Sequence, residues 1–259
     1  MILAAHQPQF MPWLGYFAKM LQCDVFLVLD DVQFKKNEWQ NRNKVMSSSG
    51  PQWLTVPVLH KFPQNINGTA VNNTVPWKHK HLKTLGQTYS RAAGFPAAWE
   101  RIEKLYAAEY EKLSEINAAS MEMLRGMLDI GIKMEFSSAC GIEGRKAPAP
   151  VLPARGPEQA RSETEVCGTP VAGRASERLV NLCRRFGADT YLAGAGGRDY
   201  MDPGIFEKAG IKVVFQEFRH PVYRQYGTEF ISNLSAVDLI FHAGREAGNI
   251  LRRALGDRL

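Results

Sequence analysis

The residues of this chain that could do chemistry fall in short polar segments that directly follow apolar runs of strand type. His6 and Gln7 follow Ile2-Leu3-Ala4-Ala5, Asp30 and Asp31 follow the apolar run at 25–29, and Gly194-Ala195-Gly196-Gly197-Arg198-Asp199-Tyr200 follows Thr190-Tyr191-Leu192-Ala193. His6 stands ahead of a helix start, with Pro12 at a position that suits the first helical residue. It could donate to a phosphate or a developing negative charge, helped by the helix dipole, or simply cap the turn. Gln7 could read a ligand amide or hydroxyl, or make a turn hydrogen bond. Adjacent strand residues point to opposite faces, so Asp30 and Asp31 are not expected to act as a paired acid and base. One would reach an amine or a metal while the other caps a loop. Lys36 and Arg42 lie just beyond. The guanidinium of Arg42 could grip a carboxylate or phosphate with two parallel bonds, or pair with an aspartate.

Gly194, Gly196 and Gly197 would let backbone approach a phosphate, with Arg198 contacting it and Asp199 and Tyr200 alongside. The turn is neither a Walker loop nor a complete dinucleotide fingerprint, so its spacing alone is a weak signal. His220 and Tyr223 remain open between ligand contact and packing. Ser235 reads as a helix N-cap with Asp238 in a capping-box position. His79 and His81, within Lys78-His79-Lys80-His81, read as part of a solvated helix face rather than a metal site.

The elements that must position these groups follow from hydrophobic patterning. Strand, turn, helix and strand within the first 30 residues make a βαβ unit with parallel strands. A strand at 53–58, a basic helix at 77–89, two helices within 97–130 and a strand at 132–136 follow. A helix at 177–186, strands at 190–193 and 211–215 and a helix at 203–209 form a second βαβ unit, with Gly210 as C-cap. This predicts an α/β, three-layer, Rossmann-like fold with a mainly parallel sheet and an additional helical segment. Residues 1–142 form the N-terminal part, 143–173 a Pro-rich loop or linker, and 174–259 a part completing the same domain. Ligands of such sheets bind at the carboxyl ends of the strands, so the polar segments would share one edge and one site.

Composition narrows the function. Of 259 residues, 45% are hydrophobic and 22% charged, which is ordinary globular composition. No apolar run approaches the roughly 20 residues of a membrane span. The first residues lack a basic leader segment, and Cys23, Cys140, Cys167 and Cys183 form no Cys-x-x-Cys pair, so a reduced, cytoplasmic protein is expected. The net charge of +6 divides evenly: 14 Lys and Arg against 11 Asp and Glu in residues 1–130, and 18 against 15 in 131–259. An evenly spread excess suits a small-anion site at least as well as a nucleic-acid surface. All five Trp lie in the first 99 residues, and no aromatic residue falls between Phe136 and Phe186. Trp13 and Trp39 belong to polar segments of the expected site, and the aromatic-free stretch holds the Pro-rich loop, so one site would be built from both ends of the chain.

Several long motifs resemble the WbqC-like protein family. They are His6-Gln7-Pro8-Gln9-Phe10-Met11-Pro12-Trp13-Leu14-Gly15-Tyr16-Phe17, Leu29-Asp30-Asp31-Val32-Gln33-Phe34, Trp39-Gln40-Asn41-Arg42-Asn43 and Trp53-Leu54-Thr55-Val56-Pro57-Val58. Toward the C-terminus, Gly197-Arg198-Asp199-Tyr200, His220-Pro221-Val222-Tyr223 and Asn233-Leu234-Ser235-Ala236-Val237-Asp238-Leu239 agree as well. Gly194-Ala195-Gly196-Gly197 departs from the Pro and Ser expected in that turn. The matching segments add Gln33, Trp39 and Asn43 to the candidate substrate contacts. The resemblance implies a bacterial surface-polysaccharide (O-antigen) setting and transfer of an aminoacyl group, glycine being one candidate, to a sugar or small-molecule acceptor. ATP or another nucleotide, with Mg2+ accompanying it, would be the cofactor. Amino acid, sugar or nucleotide would be the small-molecule partner. The alternatives are a nucleotidylyltransferase-like enzyme and a non-enzymatic RNA- or partner-binding module.

Overall fold

The computed structural model describes residues 1–140, 172–227 and 229–256, so the Pro-rich stretch at 143–173 lies almost wholly outside the described residues. The chain begins with β1 (Ile2–His6), α1 (Leu14–Met20) and β2 (Val25–Val28). Leu3, Ala4 and Ala5 are buried without exception, as an apolar run covered on both faces of a parallel sheet must be. Gly15 lets α1 pass beneath the ring of Trp13, because a Cβ there would stand 2.1 Å from the indole. Helix α1 opens at Leu14 rather than at Pro12. The carbonyl of Pro12 instead accepts from the Ala236 amide (2.8 Å), which ties the turn to the C-terminal part of the chain.

An insertion follows. β3 (Arg42–Ser47) and β4 (Gly50–Thr55) form an antiparallel hairpin, and β5 (Val58–Leu59) pairs with β6 (Ala70–Val71). The single strand expected at 53–58 is therefore one arm of a hairpin. Its partner begins at Arg42, where the sequence predicts no strand, and Asn43 and Val45 are buried in it. Gly50, at φ +105°, makes the tight turn possible. Helices α2 (Trp77–Tyr89), α3 (Phe95–Ala107) and α4 (Leu113–Met127) complete the insertion. α2 buries Trp77, His81, Leu85 and Tyr89, one residue per helical turn. His81 is thus in the core and not on a solvated face: its Nδ1 lies 3.1 Å from the Tyr106 hydroxyl and its ring packs 5.3 Å from that of Trp77. Periodicity across the basic tetrapeptide, rather than its composition, decides the outcome.

The chain then returns to the central sheet through β7 (Met134–Phe136), α5 (Ala172–Phe186), β8 (Thr190–Ala193), α6 (Pro203–Lys208) and β9 (Lys212–Phe215). The five strands are all parallel, in the order β7-β2-β1-β8-β9. From β1 the chain builds outward to one side, then crosses to the other side of β1. The strand order therefore reverses between β1 and β8. Right-handed crossovers taken in opposite directions cover opposite faces, which gives the three-layer α/β arrangement. α7 (Ala236–Ala243) and α8 (Ala247–Leu255) close the fold. Ser235 caps α7 by accepting from the Val237 amide (3.4 Å). No helix among the described residues is long and apolar enough to cross a membrane.

Candidate functional site

The carboxyl ends of the strands form one polar edge. Register places Ala4 beside Leu192, so two residues further His6 is level with Gly194 across the switch point. On the other side of β1, the His6 carbonyl accepts from the Leu29 amide (2.8 Å), which sets Asp30 beside the His6–Gln7 turn. Ser137 follows β7 directly on the far side of β2.

Asp30 and Asp31 lie beyond the last paired residue of β2, where strand alternation no longer governs, and both carboxylates reach the same serine. Ser137 Oγ is 3.3 Å from Asp30 Oδ1 and 2.5 Å from Asp31 Oδ1. Asp30 also accepts from the Ser138 amide (3.0 Å) and the Ser138 hydroxyl (2.6 Å). The expectation that the two aspartates diverge is corrected: they converge, by way of a residue from the neighbouring strand end. Asp31 in addition pairs with Arg178 of α5, Nη2 to Oδ1 at 2.6 Å. Arg178 is 9% exposed, yet among the described residues its Nε and Nη1 have no hydrogen-bond partner. A buried guanidinium with one edge held by a carboxylate and its other donors unmet is built to receive an anion.

On the β1 side, His6 is buried against the Tyr16 ring, with centroids 4.5 Å apart, and its Nδ1 lies 3.0 Å from the Gln7 carbonyl. A carbonyl only accepts, so Nδ1 is the donor in this contact. Gln7 Oε1 accepts from Gln40 Nε2 (2.6 Å), and Gln40 Oε1 accepts from the Lys35 amide (2.8 Å). Gln7 thus makes a side-chain bond that fixes the segment carrying Trp39 and Arg42. Trp39 packs edge-on to Trp53 at 5.7 Å, and the Arg42 guanidinium lies 4.2 Å above the Trp53 ring. Asn43 donates to the Met11 carbonyl at 2.7 Å and holds that residue at φ +45°, which is a structural use. Gln33 is buried where the backbone bridges to Asn65, while Lys36 is exposed. Unpartnered buried polar atoms gather beside this segment: Gln9 Oε1, Asn41 Oδ1, Arg42 Nε and Asn117 Oδ1.

Beyond the switch point, Gly194 opens a 3-10 turn spanning Ala195–Asp199. A Cβ on Gly197 would meet Met201 Sδ at 3.0 Å and the Ala193 Cβ at 3.2 Å, so this glycine serves packing. Gly194 and Gly196 remain at the edge. Arg198 is exposed and lies 4.4 Å above the Phe215 ring at the end of β9, with Asp199 exposed beside it and Tyr200 packed on the core. His220 directs Nδ1 to the Pro221 carbonyl (2.9 Å), and burial pushes its pKa down. Tyr223 donates to Asp238 Oδ2 (2.7 Å), burial pushing its phenol pKa far up. Asp238 is fully buried and also accepts from Tyr89 (2.6 Å) and Gln225 (2.9 Å), so it anchors a core network rather than a capping box. Among the described residues no group of three or more His, Cys, Asp or Glu could hold a metal. Burial pushes the Cys23 and Cys183 thiols up to about 12, which keeps them protonated.

A family model, that of the WbqC-like protein family, matches residues 7–250. The chain belongs to that family. It is also 30% identical over 254 residues to an uncharacterized protein of Mycobacterium tuberculosis, Rv1507c, covering 96% of this chain and 97% of that one. No solved structure matches it. In this WbqC-like chain, sequence reasoning missed Arg178, Ser137 and Ser138. Arg178 lies within the helix expected at 177–186, where the sequence assigns it no role. Its one available signal is that it sits between the apolar residues Ala175, Leu179 and Leu182 of that helix. Lys19 was missed for the same reason: it is fully buried in α1 and donates to the Ala5 carbonyl at 3.0 Å.

Proposed function

We propose that the protein is a transferase that moves an aminoacyl group, glycine being the first candidate, from a phosphorylated carrier such as an ATP-derived one to a sugar or small-molecule acceptor. The observation that carries this reading is Arg178, buried at the carboxyl edge of the sheet with donors to spare and held in place by Asp31. An acyl phosphate or an amino-acid carboxylate offers the planar oxygens that such a guanidinium binds. In the reaction, the acceptor hydroxyl or amine attacks the activated carbonyl carbon, and the bond to the carrier breaks as the carrier leaves as an anion. His6 Nε2 is the group suited to take the acceptor's proton, with Arg178 offsetting the leaving charge. Asp30, saturated by Ser137 and Ser138, holds the edge in shape rather than acting on substrate. Gly194 and Gly196 supply backbone at the same edge, while Arg42 and Trp39 border it on the insertion side.

The test is amino-acid-dependent exchange of radiolabelled pyrophosphate into ATP, together with thermal shifts by ATP and glycine. Exchange that needs glycine and falls at least about tenfold in Arg178→Met is the expected result, since that change removes a charge-assisted contact, whereas His6→Ala should spare exchange and slow glycyl transfer to the acceptor. Exchange without any amino acid would point to nucleotidyl transfer instead. Absence of exchange and of any thermal shift, with His6→Ala indistinguishable from the wild type, would sink the nucleotide-driven scheme.

A further inference from the structure

We infer that the protein has a second binding site, away from the sheet edge, for a sugar that carries an acidic group. A cleft of about 780 Å³ opens between α2 and the turn of the β3–β4 hairpin. That volume falls within the range of small-molecule sites. Its floor is a helix face: Thr84, Gln87, Thr88 and Arg91 stand three, one and three residues apart, and so project on one side of α2 and its C-terminal extension. The buried stripe Trp77, His81, Leu85 and Tyr89 lies about a quarter-turn further round the same helix. Facing Thr84 and Arg91 are the serines of the hairpin turn, Ser47, Ser48 and Ser49, and the ring of Tyr226 closes one side.

The chemistry of this lining selects the ligand. Hydroxyls and carboxamides, which both donate and accept, match the paired donor and acceptor character of sugar hydroxyls. The Tyr226 ring, braced edge-on against His242 at 4.6 Å, gives an amphipathic face on which the C–H side of a pyranose can lie. Arg91 is the one charged residue in the lining; it is exposed and pairs with no carboxylate among the described residues. No aspartate or glutamate among the described residues lines the cleft. A neutral polyol would leave Arg91 unused, and a cation would meet only repulsion. A uronate or a sugar phosphate uses every part of the wall.

The cleft has a rigid back. The Met46 amide donates to the Tyr89 hydroxyl (2.9 Å), which itself donates to the buried Asp238, so hairpin, α2 and α7 are locked together behind the lining. Polar residues that line a cleft on a braced scaffold are preorganised for binding, with little rearrangement left to do on contact. None of the groups assigned to acyl transfer lines this cleft, so the inference stands or falls without that reading.

Two-dimensional amide NMR titrations of the whole chain test it, with glucuronic acid, glucose 1-phosphate, glucose and inorganic phosphate as probes. Saturable shifts confined to 46–52, 84–91 and 226 are expected with the two acidic sugars. Glucose should bind at least about tenfold more weakly, the worth of one charge-assisted contact. Arg91→Ala, a change at an exposed position, should erase the preference for acid, whereas Arg178→Met should leave these shifts intact. Inorganic phosphate binding as tightly as glucose 1-phosphate, acidic sugars leaving these amides unmoved, or Arg91→Ala binding like the wild type would each overturn the inference.

Discussion

Arg178 offers the sharpest test, because a group kept for a ligand and a group kept for stability respond oppositely to removal. In the structure, Nη2 pairs with Asp31 at 2.6 Å, while Nε and Nη1 are buried and unmet. An unmet buried donor costs about 1–3 kcal/mol, so two such nitrogens burden the ligand-free fold by about 2–6 kcal/mol. Asp31→Asn removes the compensating charge and should destabilise by about 3–5 kcal/mol, the range for breaking one side of a buried pair. Arg178→Met leaves Asp31 its 2.5 Å bond from Ser137 and removes the unmet donors, so its cost should be smaller than that of Asp31→Asn. The double variant should fall nearer the wild type than Asp31→Asn alone, because neither an uncompensated guanidinium nor its unmet donors remain. Urea unfolding at fixed pH measures all four corners of the cycle, with an unchanged slope confirming that the same surface unfolds. If Arg178→Met alone costs more than Asp31→Asn, or if the two single costs simply add, the arginine is a structural strut and the anion-receiving argument is wrong.

Three other consequences can be measured directly. Burial pushes the His81 pKa from 6.5 to about 4, so between those values the unfolded chain binds a proton that the folded one refuses. Stability should therefore fall as pH drops through that window, by about 3 kcal/mol in all, and His81→Phe should flatten this part of a pH series of urea melts. An unchanged slope in the variant would refute the assignment. Gly15→Ala places a methyl 2.1 Å from the Trp13 ring and should cost about 1–3 kcal/mol, with a shift in tryptophan emission; a silent substitution would show that the ring has room to move. Tyr89→Phe strips Asp238 of a donor and the Met46 amide of its acceptor, an expected loss of about 2 kcal/mol read from thermal or urea melts, and a change under about 0.5 kcal/mol would count against the locked network.

The sheet was legible because its strands are short apolar runs bounded by polar turns, and buried parallel strands demand just that pattern. The placing of His6, Asp30 and Gly194 on one edge followed from each standing directly after a strand of a parallel sheet. What escaped was of two kinds. The partner arm of the hairpin starts at Arg42 within a polar stretch, because Arg42 and Asn43 spend their polar groups on a Trp ring and a backbone carbonyl that only the folded chain supplies. Arg178 and Lys19 are charges buried within helices, and nothing local in a sequence reveals that Asp31 or the Ala5 carbonyl will stand opposite. His81 was hidden by its basic neighbours, although its spacing from Trp77 and Leu85 already placed it on the buried stripe.

The state of satisfaction of the buried polar groups separates scaffold from binding surface more sharply than their residue types do. Asp30 receives bonds from Ser137 and from both the amide and hydroxyl of Ser138, Asp238 from Tyr89, Tyr223 and Gln225, and the Asn43 amide is given to Met11. Each would lose an existing bond by turning to a ligand, so each is better read as part of the frame, although two carboxylates at a sheet edge would ordinarily be the first choice for catalysis. The unmet atoms at Arg178 and those at Gln9, Asn41, Arg42 and Asn117 lose nothing by binding. They come from the helix leading into β8, from the turn after β1, and from the start and the last helix of the insertion. A ligand or ordered water bonding to them would recover hydrogen bonds that folding left unmade. This moves the functional weight of the edge from its aspartates to the guanidinium and amide groups around them, and it makes ligand-dependent stabilisation the signature by which the site should first be recognised.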